Sequence, residues 1–235
     1  MIRLWNEQRY LDPIYTKNTL ENNSRNLDSR VKHNIRIIGK KSQSIYAKNI
    51  LIVGVFHGDE QQGEFIIKRF LAEYNFEGLK NNFWFVPCLN TSGKLQNTRV
   101  NGNQVDLNRN YPTKNWVKTE RNEYFSGEFA ASEPETAFMI GLLENIQPAV
   151  ILTIHAPLKV VNYDGPAKEI AEKISGLCGF PANNDIGYPT PGSFGTYCGI
   201  ERNIPTITLE LDEDESNEKC YERTRPVLEY LAELS

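Results

Sequence analysis

Two of the chain's three histidines, His57 and His155, stand at the ends of apolar runs; the third, His33, lies in a polar segment. His57 opens the sequence His57-Gly58-Asp59-Glu60 directly after Asn49–Phe56, and His155 follows Pro148–Ile154. A histidine and a carboxylate three residues apart can reach one ion from a turn that enters a helix, and Gly58 leaves the backbone free to bend there. Zinc accepts imidazole nitrogen and carboxylate oxygen, and a catalytic site keeps one position for water. His57, Glu60 and His155 therefore form a candidate site for one zinc ion per chain. Taken singly, each imidazole reads better as an isolated, hydrogen-bonded surface or core residue, so the surrounding motifs carry the weight.

Glu210 lies in Ile207-Thr208-Leu209-Glu210-Leu211. A carboxylate on a mostly buried strand is costly to ionise unless paired, which raises its pKa toward the range useful for moving protons. It is the candidate general acid/base, with a salt-bridged edge-strand glutamate as the plainer alternative. The acidic run Asp212–Glu215 just after it reads as a solvated loop. Arg99 and the segment Val105-Asp106-Leu107-Asn108-Arg109-Asn110-Tyr111-Pro112 add guanidinium groups. These can grip a carboxylate through paired hydrogen bonds or steady a developing oxyanion, and Asn108 adds amide donors.

These residues need elements to position them. Residues 34–39, 49–56, 82–87, 148–154 and 206–211 read as strands; residues 60–74, 132–146, 165–178 and 217–233 read as helices. Ser132 is placed to cap the second helix, with Pro134 in its first turn. Residues 90–130 read as a long functional loop and 181–203 as a Gly/Pro-rich one. Strands alternating with helices imply an α/β fold, a single-domain mixed and mainly parallel twisted sheet with helices on both faces. In such sheets ligands bind beyond the strand carboxyl ends, where His57, His155 and Glu210 fall. Residues 1–32 read as an N-terminal extension and 33–235 as the catalytic domain.

The ordered set His57-Gly58-Asp59-Glu60, Arg99, Asp106–Pro112, Ser132-Glu133-Pro134-Glu135-Thr136, Ile154-His155 and Thr208-Leu209-Glu210 resembles the signatures of the M14 zinc carboxypeptidases over roughly residues 45–212. The resemblance implies zinc on His57, Glu60 and His155, and an oxyanion held by Arg99. It also implies a substrate carboxylate bound by Asn108 and Arg109, general acid/base work by Glu210, and a mixed sheet between helices. The family's mobile tyrosine is matched by Tyr188 from its separation to Glu210, with Tyr197 in the same loop. Its specificity pocket falls near Ser193–Thr196, where Gly195 and Thr196 leave room for polar substrate atoms and Phe194 can pack or touch substrate. His155-Ala156-Pro157 and Gly187–Gly195 are similar to the branch that cleaves the γ-D-glutamyl–diaminopimelate amide of murein tripeptides in cell-wall recycling. Aspartoacylase and succinylglutamate desuccinylase, which are acyl-amino-acid deacylases, carry similar His-Gly-x-Glu and Asp-Leu-Asn-Arg motifs. A non-catalytic peptide-binding module is the remaining reading.

Composition narrows the partners. The chain has 235 residues, 40% hydrophobic and 24% charged, as expected of one folded domain. A net charge of −4 offers no basic surplus for nucleic acid, and no apolar run is long enough for a membrane span. Charges interrupt the first residues where a signal-peptide core would sit, so the expected location is the cytoplasm and the expected partner a small peptide substrate. Cys88, Cys178, Cys198 and Cys220 form no Cys-x-x-Cys pair and read as reduced thiols, a Cys178–Cys198 bridge remaining open.

Overall fold

Apolar runs build the sheet, and their burial shows which strands are central. The computed structural model describes residues 35–234, together with the backbone of a short strand at Arg9–Tyr10. The expected extension over residues 1–32 otherwise lies outside the described residues. In chain order the strands are β1 (Arg9–Tyr10), β2 (Arg36–Lys40), β3 (Asn49–Gly54), β4 (Asn82–Val86), β5 (Val150–His155), β6 (Val160–Asp164), β7 (Ala182–Asn183) and β8 (Thr206–Glu210). They form one mixed sheet in the order β1-β2-β4-β3-β5-β8-β6-β7. β4, β3, β5 and β8 are mutually parallel, whereas β2 and β6 run antiparallel to their inner neighbours. β5 is buried along its whole length, which is why it reads as a continuous apolar run rather than an alternating one.

Helices cover both faces. α1 (Gln62–Glu73), α4 (Lys168–Cys178) and α5 (Asn217–Ala232) bury Ile66, Ile67, Phe70, Ile174, Val227 and Leu228 against Ile50, Ile52, Leu152 and Leu209 of the sheet. On the opposite face α3 (Pro134–Ile146) sets Met139, Leu142, Leu143 and Ile146 in one cluster with Leu51, Val53 and Ile151. Each such aliphatic or aromatic side chain contributes about 1.5–3 kcal/mol by leaving water. α4 stops at Gly179, whose φ of 79° is the left-handed conformation that glycine adopts freely. The four cysteines are buried free thiols, so Cys178 and Cys198 are not bridged. Among the described residues no helix is long and apolar enough to cross a membrane.

Five elements differ from what the sequence implies. The long loop contains α2 (Thr91–Gln96), whose N-terminus Asn90 caps by accepting a hydrogen bond from Gly93 N (2.8 Å), and a 3₁₀ turn at Leu107–Arg109. β6 and β7 lie in segments where no strand was expected. The N-cap of α3 is Glu133 rather than Ser132. The Ser132 hydroxyl donates to Glu133 Oε1 (2.7 Å) and accepts from Asn110 Nδ2 (3.0 Å), so tertiary partners take it away from the helix end.

Candidate metal centre and catalytic cleft

The cleft is assembled at the carboxyl ends of β3, β5 and β8. After β3 the chain turns through Val55, whose φ of 54° is an unusual conformation for a β-branched residue and reverses the backbone just ahead of His57. Gly58 lies so close to the backbone of Gly93 and Lys94 in α2 that no Cβ could be accommodated. Its N–H donates to the carbonyl of Arg99 (3.4 Å), which also accepts from Asn90 Nδ2 (3.2 Å). One turn of backbone thus joins the His57 segment to the segment carrying Arg99. His155 ends β5, stacked on Phe56 with ring centroids 5.3 Å apart, and the sheet register places it directly opposite Glu210 of β8.

His57, Glu60 and His155 meet. His57 Nδ1 lies 2.7 Å from Glu60 Oε1, His155 Nδ1 lies 2.9 Å from Glu60 Oε2, and one ligand atom from each lies within 4.8 Å of the others. Both histidines are 3% exposed, so the groups that converge are shielded from bulk water. Burial alone would lower the pKa of His57, but Glu60 and Asp106 outweigh it and raise it to about 9. Burial would likewise push Glu60 up, yet the two imidazoles hold it well below the usual carboxylate range. The cluster therefore favours positive charge at its centre, and its donors are the nitrogen and carboxylate oxygen that a catalytic zinc takes, so the residues present fit such an ion.

Behind the candidate ligands stands Asp106, fully buried, a residue to which the motif alone assigns no role. Its Oδ1 shares a hydrogen bond with His57 Nε2 (3.2 Å), and its Oδ2 accepts from Arg99 Nε (3.0 Å) and pairs with the Nη2 of the same guanidinium (2.9 Å). Despite burial, His57 and Arg99 hold its carboxyl well below the usual range. A carboxylate on the far nitrogen of a ligating histidine fixes the ring's tautomer and orientation. Asp106→Asn is therefore expected to weaken metal affinity by about 10–100-fold. Competition with a chromophoric chelator measures this, and an unchanged dissociation constant would refute it.

Glu210 is 9% exposed with its Oε2 lacking a hydrogen-bond partner among the described residues. Burial raises its pKa, His155 and His57 opposing and Glu60 reinforcing the shift. Asn108 uses its side-chain oxygen to accept from Phe194 N (2.9 Å), which leaves its amide N–H groups as donors, and its backbone carbonyl accepts from Arg109 (2.8 Å). Tyr188 is about half exposed, and its phenol lies within electrostatic reach of Glu210, Arg109 and Arg99. Tyr197 is buried against Tyr111, with the Arg202 guanidinium over its ring. Phe194 packs between Phe56 and Tyr111, which makes it a core residue.

Fold and site together define a metal-dependent hydrolase with the zinc carboxypeptidase fold. Murein peptide amidase A from Vibrio campbellii is 35% identical over 68% of this chain and 68% of its own length. The Escherichia coli K12 enzyme of the same name is 32% identical over 72% of this chain and 74% of its own. The chain belongs to the murein peptide amidase A family. The crystal structure of murein-tripeptide amidase MpaA from Escherichia coli O157 superposes with a TM-score of 0.73 at 28% identity, covering 85% of this chain and 86% of that one. Carboxypeptidase A from Helicoverpa armigera shares the fold at 15% identity, with a TM-score of 0.69 over 86% of this chain and 66% of its own. Residues 46–136 also match the succinylglutamate desuccinylase/aspartoacylase catalytic domain, a span that ends before His155 and Glu210.

Proposed function

We propose that the chain is a zinc-dependent peptide amidase that hydrolyses an amide next to a free carboxylate, and that its substrate bond is the γ-D-glutamyl–meso-diaminopimelate amide of murein tripeptide. The observation that carries this reading is the convergence of His57, Glu60 and His155 with Glu210 directly across the sheet from His155. Similarity to murein peptide amidases over 68% and 72% of this chain supports the substrate class. A zinc ion held by His57, Glu60 and His155 would supply a Lewis acid and lower the pKa of a water molecule.

The chain's own residues do the rest. Glu210, with its proton affinity raised by burial, takes a proton from the attacking water and returns it to the leaving amine. Arg99, held by Asp106, is the donor assigned to the negative charge that develops on the carbonyl oxygen, its guanidinium within 3.9 Å of Glu60 supporting that assignment. Asn108 and Arg109 bind the terminal carboxylate of the leaving residue, and Tyr188 closes over it from the exposed loop. In this reading the protein works in cytoplasmic recycling of cell-wall peptides.

The match over residues 46–136 favours a second reading, an N-acyl amino acid deacylase. Offering L-Ala-γ-D-Glu-diaminopimelate beside N-succinyl and N-acetyl amino acids separates the two. The expected result is release of free diaminopimelate, abolished by a chelator and restored by zinc. Preference for the N-acyl amino acids would defeat the amidase reading, and turnover undiminished by thorough chelation would defeat the metal.

A further inference from the structure

Arg99 is held along one edge by a single oxygen. Its Nε and Nη2 both reach Asp106 Oδ2, at 3.0 and 2.9 Å, while Asp106 Oδ1 is shared between His57 Nε2 (3.2 Å) and the backbone N–H of Asn108 (2.8 Å). A guanidinium gripped by two oxygens has its plane fixed by the pair of parallel bonds. Two nitrogens that converge on one oxygen leave the plane able to tilt about that atom. The tilt matters, because the remaining nitrogen, Nη1, lies 3.4 Å from His57 Nδ1 and 3.9 Å from Glu60 Oε1, beside the candidate ligands. Swinging the plane carries this donor toward or away from the place where negative charge would gather.

The constraint missing at the edge is supplied on the face. The guanidinium carbon of Arg99 lies 4.9 Å from the centroid of the Tyr124 ring. A guanidinium stacks on an aromatic face through the attraction of its charge for the ring quadrupole, and its edge N–H groups stay available to donate. Tyr124 belongs to the long loop, outside the motifs that the sequence singles out, and is about half exposed. Its backbone is nonetheless tied down. The Tyr124 N–H donates to Asn122 Oδ1 (2.8 Å), and the Tyr124 carbonyl accepts from Thr119 Oγ1 (2.9 Å). Ser126 Oγ accepts from Thr119 N (3.0 Å) and donates to the carbonyl of Val117 (2.9 Å), closing residues 117–126 on themselves. The next residue, Phe125, is buried, and its carbonyl accepts from Asp106 N (2.8 Å). The loop is thus anchored to the residue that grips Arg99, so ring and carboxylate meet one guanidinium from a common base.

We infer that Tyr124 is a positioning residue for the reaction: its ring lies against the Arg99 guanidinium, fixes the tilt of that group and shields it from water, so that Nη1 is presented to the oxyanion. The inference rests on the oxyanion role assigned to Arg99 above. The ring face makes the contact, so phenylalanine can stand in for tyrosine, whereas an aliphatic side chain of comparable bulk cannot.

The test uses the zinc-loaded protein, L-Ala-γ-D-Glu-diaminopimelate and the variants Tyr124→Phe, Tyr124→Leu and Tyr124→Ala. Loss of the ring is expected to lower kcat about three- to thirtyfold, the range of a cation–π contact, with KM nearly unchanged, because the contact serves a charge present only in the transition state. The leucine variant separates the ring face from simple bulk: it falls with alanine, and phenylalanine keeps wild-type kcat. A second readout needs no turnover. Phenylglyoxal modifies guanidinium groups, and its reaction with Arg99 can be followed by peptide mass spectrometry with the exposed Arg225 as internal reference. Modification of Arg99 is expected to be several-fold faster in Tyr124→Ala than in the wild type or Tyr124→Phe. Full kcat in the leucine or alanine variant, a loss confined to KM, or Arg99 modified equally fast in the alanine variant and the wild type overturns the inference. If the wild type leaves the tripeptide intact, the amidase reading fails, and the phenylglyoxal comparison still decides whether Tyr124 holds Arg99.

Discussion

Glu210→Gln is expected to lower kcat by between about 10² and 10⁴-fold while the protein keeps a full complement of metal. The substitution preserves shape and removes the one function the site requires of this side chain, a proton accepted and returned. Glu210 lies across the sheet from His155 but stands outside the cluster of groups that converge on a common point, so its loss leaves the ligand set intact. Its carboxyl is already disfavoured as a charge by burial. Thermal stability of the variant is therefore expected to be equal to that of the wild type or higher, the usual sign of a residue kept for activity against a folding cost. Metal analysis, steady-state kinetics and a melting curve on one preparation check all three. Full turnover with stoichiometric metal would remove Glu210 from the reaction.

His155→Ala fails in the opposite way. It deletes one of the converging donors and leaves the partly buried Glu60 carboxylate facing a single imidazole. Metal content after dialysis is expected to fall to trace levels and hydrolysis to background. The ring is also a packing element, stacked on Phe56 and 3% exposed, so the truncation costs about 1–3 kcal/mol of stability as well. Metal content and the melting temperature distinguish the two variants: Glu210→Gln keeps both, and His155→Ala loses both. Retention of tightly bound metal by His155→Ala would show that the ion is held elsewhere.

The strands that deliver the site were legible because they are central. β3 and β5 are parallel strands buried along nearly their whole length and read as almost continuous apolar runs, His155 ending β5 and His57 standing three residues past β3, whereas β8 alternates Thr with Ile and Leu before Glu210. His57 and His155 could be paired at a separation of 98 positions only because histidine is rare in this chain and both follow such runs. β6 was not legible for the complementary reason. In Val160-Val161-Asn162-Tyr163-Asp164 only Val161 is fully buried, so the segment carries neither an apolar run nor a long alternation. The role of Asp106 is not legible in its motif, because its partners, His57 and Arg99, are set by tertiary packing. A signal existed in its place two residues before Asn108, where its side chain accepts from the Asn108 backbone N–H (2.8 Å) and starts the 3₁₀ turn. The α2 helix went unread because six residues with Ser and Gly among them carry no apolar period, and Asn90, which stabilises it, is as common in loops as at helix starts.

One buried carboxylate fastens both an imidazole of the metal cluster and the guanidinium beside it. The aim of Arg99 and the tilt of the His57 ring are consequently a single thermodynamic variable shared between two chemical duties. Energies measured on one will not sum with those measured on the other, and a lineage that drifts at position 106 forfeits ion and oxyanion handling in the same step.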